Sequence, residues 1–179
     1  MPTIDEQIAT VSSAIDGAGT LLDDEMTRQT SANLKVDSDI SDIQSDADET
    51  YNDMQAPAFT EADLLALDAK MDTFESDIDL LENYVAAERL TQADADASIT
   101  AAVNTLLTEA QTLSALAGST VSTFQRQDIE AVLAKISATI TIDQLRQALY
   151  QSSASDQDTN IDGIKATLNN MKALQPLTT

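Results

Sequence analysis

The sequence predicts an all-α protein, an elongated coiled-coil rod followed by a helical bundle. Three observations predict it. Only four Gly and three Pro interrupt 179 residues. Apolar residues recur at alternating spacings of three and four, the period of a helix face. Where such stripes begin, Thr is repeatedly followed three residues later by a carboxylate or amide: Thr3 with Glu6, Thr60 with Asp63, Thr91 with Asp94, Thr141 with Gln144 and Thr159 with Asp162. A Thr hydroxyl can accept a first-turn amide, and a negative charge there is favoured by the helix dipole.

The first element runs from Thr3 through Ile4, Ile8, Val11, Ile15, Ala18, Leu22 and Met26, then Val36, Ile40, Ile43, Ala47, Tyr51 and Met54. It reads as a coiled-coil seam with Gln29 and Asn33 at seam positions, where polar residues either set register and oligomer state or mark a local unwinding. Gly17 and Gly19 each cost roughly 1 kcal/mol relative to Ala inside a helix. If they leave the helix intact, residues 3 to 54 make one rod about 78 Å long; if they break it, residues 1–55 form a helical hairpin.

Ala56-Pro57-Ala58 predicts a stop, because proline lacks an amide donor and disfavours helix in the residue before it. Residues 58–118 then read as two heptad-patterned helices. One carries Leu64, Leu67, Met71, Phe74, Ile78, Leu81 and Val85 to Arg89; the other carries Ile99, Val103, Leu106, Ala110, Leu113 and Ala117. Gly118 reads as a terminator. In residues 119–179, Ser119 is expected to cap a helix through Val121, Phe124, Ile129, Val132, Leu133 and Ile136. A short helix with Ile142, Leu145 and Leu149 comes after Thr141, then a polar loop over 151–158. A last helix, with Ile161, Ile164, Leu168 and Met171, ends before Pro176.

Composition narrows the chemistry. There is no His, Cys or Trp, so imidazole- and thiolate-based catalysis and ordinary zinc sites are unavailable. With three Phe and three Tyr, aromatic pockets and base-stacking platforms are hard to build. The sequence therefore predicts no enzyme and no cofactor.

Charge divides the chain. Residues 1–96 hold 24 acids and 4 bases, net −20, and residues 97–179 hold 7 acids and 5 bases, net −2, together the −22 of the whole. The acidic half should repel nucleic acid and anionic membranes, and the nine Lys and Arg make no basic patch. No apolar run approaches the ~18 residues of a membrane span, and the N-terminus resembles no signal peptide.

The segment Asp158-Thr-Asn160-Ile-Asp162-Gly163 has the oxygen spacing that opens an EF-hand loop, but Lys165 and Asn169 stand where an apolar residue and a bidentate Glu belong. Asp158, Asn160 and Asp162 are thus the only calcium candidates with a motif behind them, and the plainer reading is a polar loop with Thr159 capping the last helix. The run Asp42, Asp46, Asp48 and Asp53 and the pair Asp94 and Asp96 read as solvated faces.

The first fifteen residues, Met1-Pro-Thr-Ile-Asp-Glu-Gln-Ile-Ala-Thr-Val-Ser-Ser-Ala-Ile15, resemble the heptad N-termini of small virion proteins of tailed phages and archaeal viruses. The resemblance covers about 55 residues. It implies a structural role in a virus particle, as a fibre, collar or neck, or head-decoration component, and assigns no functional residue.

On these grounds the expected partner is the chain itself, as a trimer or larger homo-oligomer. The expected seam is Ile4, Ile8, Val11, Ile15, Leu22, Val36, Ile40, Ile43, Val103, Leu106 and Leu113. Other structural proteins would dock on the near-neutral C-terminal half. The alternative is an acidic regulator, a DNA mimic or an assembly chaperone, that occupies a basic partner surface; a scaffold is a weaker variant of it.

Overall fold

In the computed structural model, which describes residues 2–55, 60–119 and 121–174, the protein is all-α. Its elements are α1 (Ile4–Met54), α2 (Glu61–Ala117) and α3 (Thr123–Leu174), and no strand is found among the described residues. Two compact units divide the chain: Met1–Gln29 with Thr91–Tyr150, here unit 1, and Thr30–Leu90 with Gln151–Thr179, here unit 2. Every helix therefore contributes a segment to each unit, whereas the sequence places its boundaries at the turns.

Helix starts follow the capping chemistry in two of the five expected places. Thr3 and Glu6 make a reciprocal box: the Thr3 amide donates to Glu6 Oε2 at 2.7 Å and the Glu6 amide to Thr3 Oγ1 at 3.2 Å. Thr60 and Asp63 do the same, at 2.9 and 3.2 Å. The hydrogen bond from the Thr60 amide, joined by the Thr60 hydroxyl, holds the Asp63 carboxyl below its ordinary pKa. A lowered folded-state pKa means that this support is complete above the ordinary Asp range and is lost as pH falls below about 4. Thr60→Ala is expected to cost about 1 kcal/mol in urea titrations near neutral pH, with the difference shrinking in acid.

The other three starts are corrected. Thr91, Thr141 and Thr159 lie inside continuous helices. Thr141 donates its hydroxyl to the Ser137 carbonyl at 3.0 Å and Thr159 to that of Ser155 at 2.9 Å, the bond a mid-helix Thr makes four residues back. Residues 58–118 thus hold one long helix, not two, and the expected loop at 151–158 is helical. Ser122, not Ser119, caps α3: its amide donates to Gln125 Oε1 and its Oγ accepts from the Gln125 amide, both at 3.2 Å. Ala56-Pro57-Ala58 and Pro176 lie outside the described residues.

Gly17 and Gly19 leave α1 unbroken, and a Cβ at either would meet nothing within 4 Å. Their backbone freedom serves no turn here. Gly17→Ala with Gly19→Ala is expected to raise stability by about 1–2 kcal/mol in total, seen as a higher urea midpoint with unchanged slope.

Unit 1 is built on Val11, Ile15 and Ala18 of α1, Leu106 and Leu113 of α2, and Ile129, Val132 and Ile136 of α3. Unit 2 is built on Val36, Ile40, Ile43, Ala47 and Met54, on Leu67, Met71, Phe74, Ile78, Leu81 and Val85, and on Ile161, Ile164, Leu168 and Met171. Within each unit the α2 segment runs antiparallel to the other two. In unit 2, Lys165 reaches Glu82 at 2.6 Å, Lys172 reaches Glu75 at 2.9 Å, and Arg89 pairs with Asp158. These partners step by seven residues in opposite directions, as charges flanking a heptad seam should.

The residues expected to join copies of the chain are covered by the chain's own helices. Val11, Ile15, Leu22, Val36, Ile40, Ile43, Leu106 and Leu113 are buried in the single chain. Ile4 and Ile8 pack half-buried on the unit 1 core, and Val103 is half-buried. A three-helix arrangement supplies each narrow stripe with two neighbours, so no second copy is needed to remove these side chains from water.

Candidate functional site

The feature that sets unit 1 apart from a plain aliphatic bundle is a polar layer in its interior. In α1 the buried positions step Leu22, Glu25, Gln29 and on to half-buried Asn33, two successive intervals of four. Glu25 takes the inward place expected for Met26, which is exposed. In α2, Val85, Gln92, Ile99, Leu106 and Leu113 are buried at an unbroken interval of seven, so Gln92 falls on the core face. In α3 the inward positions run Ile129, Val132, Ile136, Thr139, Asp143 and Arg146, bringing a charged pair into the core. Half-buried Tyr150 and Ala154 lie beyond Arg146 at two further steps of four. Doubled four-residue steps of this kind locally unwind a heptad supercoil.

Arg146 is the centre of the layer and only 2% exposed. Its Nη2 lies 2.7 Å from Asp96 Oδ1 and 2.8 Å from Asp143 Oδ1, and its Nε donates to Asp143 at 3.2 Å. Burial pulls the guanidinium pKa down, and the hydrogen bonds to Asp143 and Asp96 outweigh it, so the net shift is upward. The Gln147 amide donates to the second Asp143 oxygen at 3.0 Å. Gln92 links the helices: its Nε2 donates to Asp96 at 2.9 Å, and its Oε1 accepts from Arg28 Nη2 at 3.2 Å. Arg28 in turn grips Glu25 in a bidentate pair at 2.7 and 2.9 Å. Arg146 Nη1 is buried without an acceptor among the described residues.

Three carboxylates face two guanidiniums in this layer, and each carboxylate is engaged by guanidinium or amide donors. What the layer can do is select one pairing of helices, since any other register leaves buried charge unpaired. In unit 2 a smaller polar layer joins Gln157 Nε2 to Asn33 Oδ1 at 3.1 Å. Asn33 therefore sits at a bonded layer inside an intact helix rather than at a break.

The structure does not assemble the calcium candidates. Asp158, Asn160 and Asp162 lie within α3, where residues two apart point about 200° away from each other. A calcium loop needs a turn, and Asp158 is instead paired with Arg89. Among the described residues no group of three or more acidic side chains is placed to hold a metal ion. Open grooves in unit 2 run between α1 and α2, over Asp39, Asp42, Asp46 and Asp77, and between α2 and α3, over Arg89 and Asp158. Asp53, from the same acidic run, pairs with Lys70 at 3.3 Å. No helix among the described residues is long and apolar enough to cross a membrane.

Comparison with protein-family models, with curated proteins and with solved structures gives no match. Function therefore rests on the residues alone. Sequence reasoning missed Glu25, Gln92, Asp143 and Arg146 as core positions, although the signal was present. Val85 and Ile99 are fourteen residues apart, two whole heptads, which carries α2 straight through Gln92. The stripe of Ile129, Val132 and Ile136, continued in phase, reaches Asp143 and Arg146. Restarting a helix at Thr141 put Ile142, Leu145 and Leu149 inward instead, and the structure exposes all three.

Proposed function

We propose that this chain is a non-catalytic structural protein, a self-associating helical component of a larger assembly. The observation that carries the reading is the investment of three helices of 51, 57 and 52 residues in narrow heptad cores with a charged register-setting layer. That design gives each unit a closely paired helical core. The finer assignment, a fibre, collar or head-decoration protein of a virus particle, is supported by the resemblance of the N-terminal heptads alone.

The second reading, an acidic protein that covers a basic partner surface, is favoured by one specific observation. The heptad seams are closed within the chain, and in unit 2 the basic residues Lys35, Lys70, Arg89, Lys165 and Lys172 are each paired with an acid, leaving the acidic excess to solvent. Light scattering coupled to small-angle X-ray scattering at low and high salt separates the two readings. A homo-oligomer that persists or grows with salt supports the structural role. A monomer that captures a cationic probe protein such as a histone, and releases it as salt rises, supports the acidic regulator.

A further inference from the structure

The two boundaries of α2 in unit 2 are charged differently. Toward α3, Glu75, Glu82 and Arg89 each meet a partner of opposite charge. Toward α1, the carboxylates Asp39, Asp42, Asp46, Glu49 and Asp53 follow one another at alternating steps of three and four, one helix face about 21 Å long. Only the ends of this face are compensated. Lys35 pairs with Asp39 and lies 4.6 Å over the Tyr84 ring, and Lys70 pairs with Asp53. Between them, Asp42, Asp46 and Glu49 of α1 and half-buried Asp77 of α2 pair with no Lys or Arg of the described residues. The groove they border has an apolar floor of Ile43, Phe74 and Leu81, with Leu80 standing 65% exposed on its wall. Two recesses of about 220 and 310 Å³ lie along it and share Asp46. Thr50, only 1% exposed, lines the smaller one, and its hydroxyl has no hydrogen-bond partner among the described residues.

We infer that this groove holds a basic amphipathic helix of a partner protein, laid along α1 and α2 as a fourth helix. The inference rests on the acidic-partner reading above, and it names the surface used and the chemistry of the partner. Spacing selects a helix. Lys or Arg at steps of three and four on the partner repeats with the period of Asp42, Asp46 and Glu49, so several ion pairs form in a single register. Apolar side chains beside those cations cover Leu80 and reach the floor, as an amphipathic helix does in a groove. A cationic side chain entering the smaller recess gives the Thr50 hydroxyl the partner that a buried polar group requires. Charge selects a basic partner over a second copy, because a chain of net charge −22 repels its own kind and draws cations. The α2/α3 boundary, whose acids are already paired, offers no such excess.

The test is calorimetric titration of the full chain, at low and high salt, with a synthetic helical peptide of about 21 residues that carries Lys and Leu along one face at steps of three and four. The same peptide with a central proline keeps the charge and loses the helix. The groove variant is Asp42→Asn with Asp46→Asn and Glu49→Gln. The control, Asp37→Asn with Asp48→Asn and Asp72→Asn, removes equal charge from exposed positions of unit 2 that do not line the groove. Leu80→Gln removes an apolar contact alone, and circular dichroism establishes that each variant is folded. The expected result is binding that weakens with salt, roughly tenfold weaker in the groove variant and within about twofold of wild type in the control. Leu80→Gln should bind severalfold more weakly, and the proline peptide roughly tenfold more weakly. Equal loss in the groove and control variants overturns the groove and leaves the acidic-partner reading standing, because net charge alone is then recognised. A proline peptide that binds as well as the helical one overturns the helical partner. A chain that captures a histone but not the helical peptide overturns the inference and leaves that reading standing, whereas one that binds neither overturns both.

Discussion

Exchanging Ile40 and Ile43 together for Asp is expected to melt unit 2 rather than to separate subunits. Both side chains are buried, at 4 and 6% exposure, among Leu81, Val85, Ile161 and Ile164 in a core drawn from all three helices of one chain. Removing each Ile side chain from a core costs about 2–5 kcal/mol, before the penalty for placing a carboxylate there. The pair therefore takes most or all of the ~5–15 kcal/mol that holds an ordinary domain together. The measurement is helical circular dichroism beside light scattering. A large loss of helicity at neutral pH is the expected result. Full helicity with a fall in mass would show instead that these residues join separate chains.

Arg146→Met is expected to destabilise the protein by about 3 kcal/mol, the lower end of the range for breaking a buried ion pair. Asp143 is buried beside it and would be left with Gln147 as its side-chain donor, whereas Asp96 is partly open to water and recovers some solvation. Urea unfolding followed by circular dichroism measures the loss. Arg146→Met combined with Asp143→Leu should recover most of it, because the two buried members are then apolar and the remaining carboxylate, Asp96, is partly open to water and keeps Gln92 as a donor. If the double variant is as unstable as the single one, the loss comes from packing, and the pair is not what sets the cost. Native-state hydrogen exchange on the double variant then asks whether register has become plural: slowed exchange throughout α1 to α3 would mean the layer is not needed to choose one pairing.

Much of the secondary structure was legible because its signals are local. The boxes at Thr3 with Glu6 and Thr60 with Asp63 each involve residues three apart, and they cap helices as the spacing says. The same Thr-x-x-Asp signal at Thr159 was misleading, since a hydroxyl in mid-helix has another acceptor four residues back. Nothing within a window of four residues distinguishes the two cases. Phase over several heptads does, as Val85, Gln92 and Ile99 show in α2.

The polar layer was harder to read for a different reason. Arg146 looks like a surface residue by type, and Leu145 and Leu149 look like core. Their places are reversed because Asp96, from a helix fifty residues away in sequence, supplies a counter-charge that makes an inward guanidinium tolerable. That pairing is a property of two helices packed together.

All-α character, aliphatic cores, two of the caps and the acidic imbalance follow from residue type and short spacing, since those express themselves within a turn or two of helix. Which chain covers each stripe was decided only in three dimensions. A heptad seam satisfied by a sister molecule and one satisfied by the same molecule folded back have identical spacing, and the difference lies in long-range pairings such as Arg28 with Gln92 and Lys165 with Glu82, which no periodicity encodes.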